Sequence, residues 1–231
     1  MDSISGVGVV DKAVGVLAAL ERGPQSLTEL VAATGLSRAT AHRLAVALEA
    51  HGLVRRDEDG RFTLGLRLIG LGHAAAEAVP AWLDARPALA WLQEQTGESV
   101  QLYVRDGDVR VCVESLEAPH ELRTIVPVGA RLPLDRGSAG RVFSGGANRG
   151  ARARAWVESV EERQAGVASV SAPVVDPSGR VVAAVSVSGP VDRTSRAPGR
   201  RYGDAVAQAA ARISRSLTRT RTVSAHTPYR A

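Results

Sequence analysis

A single cysteine, Cys112, occurs in 231 residues, which excludes an intramolecular disulfide and any thiolate cluster supplied by one chain. It falls in an alternating apolar segment and is expected to be a small core residue, not a reactive thiol. No apolar run is long enough to span a membrane, and Met1-Asp-Ser-Ile-Ser-Gly6 has neither a basic nor an apolar leader region. A cytoplasmic protein with no membrane partner is expected. The five histidines, His42, His51, His73, His120 and His226, show no metal-ligand spacing with the lone cysteine, so no metal or cofactor is expected. Gly137-Ser-Ala-Gly140 lacks the Gly-Lys-Ser/Thr of a phosphate loop, and Arg136 breaks the Gly-x-Ser-x-Gly pattern of a nucleophile elbow. There is no internal repeat.

What is present is globular: 45% hydrophobic and 23% charged residues, in a chain long enough for one or two domains with a sizeable core. The net charge of +5 is unevenly placed, with 8 Lys+Arg against 9 Asp+Glu in residues 1 to 79 and 21 against 15 in residues 80 to 231. Nucleic-acid contact by the first part therefore has to rest on where individual arginines stand, not on bulk charge. After Asp192, nine arginines face one acid, Asp204, which reads as a solvated helix face and tail.

The most informative stretch is Ser37 to Gly52. Apolar Ala41, Leu44, Ala45 and Leu48 follow the i, i+3, i+4, i+7 spacing of a helix that buries one stripe. Ser37 suits the N-cap and Gly52 the position just past the end. Arg38, Ala39, Thr40, His42 and Arg43 lie on or beside the opposite face, where small, hydrogen-bonding and cationic groups can press into a nucleic-acid groove. Upstream, Ser26-Leu-Thr-Glu29 is a capping box opening a short helix with Leu27, Leu30 and Val31 inward, and Thr34-Gly35-Leu36 turns the chain into Ser37. Downstream, Leu53 to Arg56 and Arg61 to Leu64 read as strands around an Asp59-Gly60 turn, a wing carrying Arg55, Arg56 and Arg61. A preceding helix with Val10, Val14, Leu17 and Leu20 on one side completes a winged helix-turn-helix over residues 7–65.

These residues also carry a resemblance. Thr28-Glu-Leu-Val-Ala-Ala-Thr-Gly-Leu-Ser-Arg-Ala-Thr-Ala-His-Arg-Leu44, followed by His51-Gly-Leu-Val54, resembles the DNA-binding domain of the IclR family of bacterial transcriptional regulators, and within it the actinomycete branch that controls amino-acid biosynthesis, particularly leucine. The expected DNA contacts are Thr28, Ser37, Arg38, Ala39, Thr40, His42 and Arg43 on the two helices, with Arg55 and Arg61 in the wing.

Residues 66–79 read as a linker helix with more apolar surface (Leu66, Ile69, Leu71) than a free linker needs; it either packs on its own domain or, as the resemblance implies, contacts a second subunit. From residue 80, a helix over Trp82 to Thr96 is followed by strands at Val100 to Val104, Val109 to Val113, Leu122 to Val128, Val167 to Val175 and Arg180 to Ser188. A helix near Arg200 to Leu217 ends the fold, and residues 218–231 are expected to be disordered. Five strands with helices before and after give an α+β domain, an antiparallel sheet covered by helices.

Val128-Gly-Ala-Arg-Leu-Pro-Leu134, Gly137-Ser-Ala-Gly140, Gly166 to Val174 and Gly179 to Pro190 are similar to the IclR effector-binding domain, which has a GAF-like fold, over residues 80–217. The chain departs from that pattern between Ser144 and Trp156, where the family usually has a longer helical segment. It also lacks a clear counterpart of an aspartate before the Gly166 strand, offering Glu161 and Glu162 instead. Gly137, Ser138, Ala139 and Gly140, with Ser169, Ser186 and Ser188, form the candidate effector site. Hydroxyls and backbone amides suit an amino acid or small carboxylate without a buried cation, whose unpaired state would be costly; the alternative is that the serines only satisfy one another. The expected partners are double-stranded DNA with a near-palindromic operator, a small effector, and a second copy in a homodimer or dimer of dimers. Two other functions remain open: a DNA-binding protein whose second domain only dimerises, and a small-molecule enzyme, for which the serines show no evident base.

Overall fold

The computed structural model describes residues 5–77, 85–145 and 155–224, and the chain divides into two compact units, Met1–Ala78 and Val79–Ala231. In the first unit, α1 (Gly8–Leu20), α2 (Leu27–Thr34) and α3 (Arg38–Ala50) precede a hairpin of β1 (Val54–Arg56) and β2 (Phe62–Leu64), and α4 (Arg67–Glu77) follows. Local chemistry sets each boundary. The Ser26 hydroxyl accepts from the Glu29 amide and the Glu29 carboxylate accepts from the Ser26 amide at 2.7 Å, a complete capping box, while Gly35 ends α2 in the left-handed region. Ser37 caps α3, whose far end closes with Gly52 N donating to Glu49 O and Leu53 N to Leu48 O. That paired closure needs a positive φ at Gly52, which it has at 70°.

The core of this unit is Val16, Leu20, Leu30, Ala45, Leu48, Val54 and Phe62. Leu30 is fully enclosed, so truncating it to Ala costs about 2–5 kcal/mol. One expectation fails here: α1 turns Ala13, Val16, Leu17 and Leu20 inward, and Val10 and Val14 are about half exposed. The helix enters the core one step further round than the Val10/Val14 spacing implied. Together with the exposed Leu66, Ile69 and Leu71 around α4, they leave the first unit with uncovered apolar surface.

The second unit contains α5 (Arg86–Thr96), β3 (Ser99–Asp106), β4 (Val109–Leu116), β5 (Arg131–Pro133), α6 (Ser138–Phe143), β6 (Val157–Val160), β7 (Val167–Val175), β8 (Val181–Pro190), α7 (Val191–Thr194) and α8 (Pro198–Ser224). Its sheet is antiparallel in the order β5-β4-β3-β8-β7-β6. Strand alternation sends Val100, Leu102, Val170, Ala172, Val185 and Val187 to one face, against Leu89 and Leu92 of α5 and Val206, Ala209, Ala210, Ile213 and Leu217 of α8. The other parity carries Gln101, Tyr103, Ser169, Ser171, Ser186 and Ser188, the face that holds the site.

Several expectations are corrected. Leu122 to Val128 forms no strand: Pro127 has no amide to donate, and backbone bonds to the β4 edge begin where Gly129 N donates to Cys112 O and Cys112 N to Ala130 O, so the strand there is the short β5. Gly137 to Gly140, where the sequence lacks a phosphate-loop pattern, is the entry to α6. Val157–Val160 adds a strand too short to announce itself. A register shift between Val174 and Val175 puts Val182 with the helix-covered core and Val181 with the other face. The last helix runs on to Ser224, into the segment expected to be disordered. Trp82, Pro80 and most of the shortened 144–156 segment lie outside the described residues.

Candidate functional site

On the first unit, α3 is anchored by buried Ala41, Ala45 and Leu48, which leaves Arg38, Ala39, His42 and Arg43 exposed and Thr40 half-buried. The Ser37 and Thr40 hydroxyls bond each other at 2.9 Å, and Arg38 Nη1 reaches Thr28 Oγ1 at 3.4 Å across the turn between the helices. Arg43 and, in β1, Arg55 form no ion pair among the described residues. The other two wing arginines differ. Arg56 lies over the Phe62 ring at 4.2 Å and pairs with Glu49 at 3.4 Å.

Arg61 does not project from the wing as the sequence suggested. Its Nη2 donates to the Pro24 carbonyl at 3.0 Å and to Glu29 Oε2 at 2.9 Å, tying β2 to the capping box of α2. The bonds from the Ser26 amide and hydroxyl, aided by Arg61, hold the Glu29 carboxyl below its ordinary range. A guanidinium already shared between a carboxylate and a carbonyl is a strut of the domain, not a free phosphate ligand.

On the second unit, β3, β8, β7, β6 and the start of α6 surround a cavity of about 20 Å³, room for one water molecule. Of the expected effector residues, Gly137, Ser138, Ala139, Ser169, Ser186 and Ser188 line it. Gly140 does not. It packs where a Cβ would stand 2.5 Å from the Leu134 carbonyl oxygen and 2.7 Å from Arg110 Nη1, so its lack of a side chain serves close approach. The serines are linked: Ser138 Oγ lies 2.7 Å from both Ser169 Oγ and Ser171 Oγ, Ser171 Oγ donates to Ser186 Oγ at 2.9 Å, and Ser188 Oγ donates to Gln101 Oε1 at 3.0 Å. The hydroxyls do satisfy one another, and those of Ser138, Ser169, Ser186 and Ser188 also line the cavity.

The remaining wall includes Tyr103, Arg110, Ser159, Arg163 and Gln164, none of them anticipated. A signal for Arg110 existed: it shares strand parity with Cys112, which was read as core. Cys112 is buried, its thiol pushed up to about 12 by desolvation. Arg110 is only 2% exposed. Its Nη1 donates to the carbonyls of Pro133 and Arg136, its Nε is buried without a partner, and its guanidinium lies 5.4 Å from the centre of the Tyr103 ring. Burial pulls its proton affinity down, as does Arg163, against the opposing fields of Tyr103 and Asp135. Desolvation also raises the Tyr103 phenol above its ordinary range. The expected absence of a buried cation is therefore wrong, because Arg110 is held by carbonyls and an aromatic face.

Between β6 and β7, residues 161–166 edge the cavity, with Glu161 at a φ of 56°. Glu162 Oε2 accepts from the Gly137 amide at 3.0 Å, and its Oε1 accepts from Arg141. The carboxylate before the Gly166 strand thus engages the backbone donor expected to face a ligand.

Two family models match the chain: the IclR helix-turn-helix domain over residues 9–58, and the bacterial transcriptional regulator IclR C-terminal domain over residues 73–151 and 149–215. The glycerol operon regulatory protein of Streptomyces griseus is 31% identical over 90% of this chain and 95% of its own length. The HTH-type transcriptional regulator KipR of Bacillus subtilis is 33% identical over 53% of this chain, a match spanning 49% of that protein. A crystal structure of an IclR homolog from Microbacterium hydrocarbonoxydans, complexed with 4-hydroxybenzoate, superposes with a TM-score of 0.74 at 20% identity, covering 91% of this chain and 99% of that one.

Proposed function

Because the chain belongs to the IclR family of bacterial transcriptional regulators, we propose that α3 reads a near-palindromic operator and that the serine-lined cavity senses a small carboxylate or amino acid. The protein is a DNA-binding transcriptional regulator; the operator contacts, the effector and the assembly are the proposal. One observation carries it. The helix held by Ala41, Ala45 and Leu48 presents Ala39, His42 and Arg43 to solvent, Arg43 without an ion pair among the described residues, and Arg55 of the wing is exposed as well. Small residues allow close approach, and an arginine at mid-helix suits bidentate pairing to guanine O6/N7 in the major groove.

A single winged helix fills one short half-site, so a second copy is needed for a longer one. The exposed apolar residues of α1 and α4, Val10, Val14, Ile69 and Leu71, with Leu66 just before α4, favour a homodimer, or a dimer of dimers, formed through the first unit. Two recognition helices then meet half-sites about one helical turn (~34 Å) apart. The regulated genes are proposed to serve amino-acid or related small-acid metabolism, and the regulator to act in the cytoplasm.

Sequencing genomic fragments recovered by the full-length protein, beside the Arg43→Ala variant, tests this reading. A palindromic motif enriched by the wild type and lost by the variant is expected. Equal recovery of all fragments by both would refute it.

A further inference from the structure

Two guanidinium groups, Arg110 from β4 and Arg163 from residues 161–166, line the same 20 Å³ cavity. Neither forms an ion pair with a carboxylate among the described residues. The nearby acids are committed elsewhere: Glu162 to Gly137 and Arg141, and Asp135 to Arg136 at 3.3 Å. Arg110 is the sharper case. Both hydrogen bonds it makes use Nη1, its Nε is buried and unpartnered, and Nη2 lies on the Gly137 side, 3.2 Å from where a Cβ on that residue would be. A guanidinium retains its charge, and a buried charge without a counter-ion is costly to the fold.

Arg163 adds to that imbalance. The two like charges act on each other across the cavity, and Arg163 lowers the proton affinity of Arg110. The rest of the lining is uncharged, the hydroxyls of Ser138, Ser169, Ser186 and Ser188 among its groups. Such an arrangement is destabilised when empty and is relieved by negative charge entering from outside. One carboxylate neutralises one of the pair. Two charges on one small molecule neutralise both.

Resting on the reading of this cavity as the sensor site, we infer that its ligand is a small dianion, with Arg110 as the buried counter-charge that selects for it and Arg163 closing over its second charge. The cavity in its closed form is too small for such a molecule, so residues 161–166 move outward on binding and return Arg163 to the bound anion. Arginine fits either a dicarboxylate or a phosphate group, since both present paired oxygens to its fork.

The test is calorimetric titration of the full-length protein at pH 7.5 with malonate, succinate, glutarate and inorganic phosphate, against butyrate as the length-matched monoanion of succinate. The variants are Arg163→Gln, Arg110→Gln, Arg110→Lys and Ser186→Ala/Ser188→Ala, each checked for native circular dichroism. At least one dianion is expected to bind roughly 10- to 100-fold tighter than butyrate, the increment of one charged hydrogen-bonded contact. Arg163→Gln, which leaves the strut to Pro133 untouched, should erase that preference, and Arg110→Lys should restore part of what Arg110→Gln loses. Phosphate binding without dicarboxylate binding assigns the dianion to a phosphate; the reverse assigns a dicarboxylate. Butyrate binding as tightly as every dianion, lost only in the serine variant, would overturn the inference while leaving the sensor site in place. No binding of any dianion at millimolar concentration would also overturn it.

Discussion

The carboxylate of Glu162 stands 3.0 Å from the backbone amide of Gly137, so the protein's own side chain occupies a donor that a ligand carboxylate at this cavity would use. With Arg141 holding the other carboxylate oxygen, Glu162 clasps residues 161–166, of which Arg163 and Gln164 line the cavity, to the start of α6.

Glu162→Ala removes the clasp and the competing charge together. A ligand whose competent state is only fractionally populated binds with affinity reduced by that fraction, so the variant should bind small acids about 3- to 10-fold tighter. Isothermal titration against the wild type decides it, and unchanged affinity would show that Glu162 does not gate entry.

Arg43→Ala should weaken binding to the cognate operator by about 1–3 kcal/mol while barely changing affinity for random DNA. Competition titrations with labelled operator measure the ratio. An unaltered ratio would remove Arg43 from sequence readout.

The two wing arginines should separate. Arg55, exposed and without an ion pair among the described residues, is expected to touch phosphate, so Arg55→Ala should lower the slope of log K against log salt by about one. Arg61 is tied to Glu29 and Pro24. Arg61→Ala should leave that slope unchanged and cost less than about 1 kcal/mol of stability, because the pair is partly exposed.

Replacing Ile69, 70% exposed on α4, by Asp should shift the protein toward monomer in sedimentation at micromolar concentration. The fold should survive, since the side chain makes no part of the core of its own unit. A variant that stays as associated as the wild type would place the subunit contact elsewhere.

Cys112 should resist a thiol reagent such as DTNB at pH 8 in the native protein and react fully in denaturant. Its thiol, pushed up to about 12 by burial, holds almost no thiolate at that pH. Fast native reaction would mean that this face of the sheet opens readily.

The winged helix was legible because its boundaries are fixed by local chemistry. Ser26 with Glu29, Gly35, Ser37 and Gly52 each act within four residues, and all stand where their spacing implied. The face of α1 was misjudged because Val10, Val14, Leu17 and Leu20 also fit a helical stripe, and only packing against α2 and α3 selects Val16 instead. In the second unit, strand alternation put Ser186 and Ser188 on one face and the resemblance supplied Ser169, and the three do line one cavity. The same alternation put Arg110 on the parity of buried Cys112, but it could not show the carbonyls of Pro133 and Arg136 that make a buried guanidinium tolerable there. Arg61 was misread for the opposite reason: a cation in a wing suggests phosphate, and its acid partner lies 32 residues away in sequence.

Occupation of the serine-lined cavity is expected to change operator binding. Fluorescence anisotropy of the recovered operator, titrated with wild type and with Ser186→Ala/Ser188→Ala in the presence of amino acids, 2-oxo acids and small dicarboxylates, measures it directly. At least one compound should shift wild-type operator affinity by about 5-fold or more, while the double variant binds the operator normally and no longer responds. A wild type indifferent to every compound, or a double variant that responds as the wild type does, would contradict it.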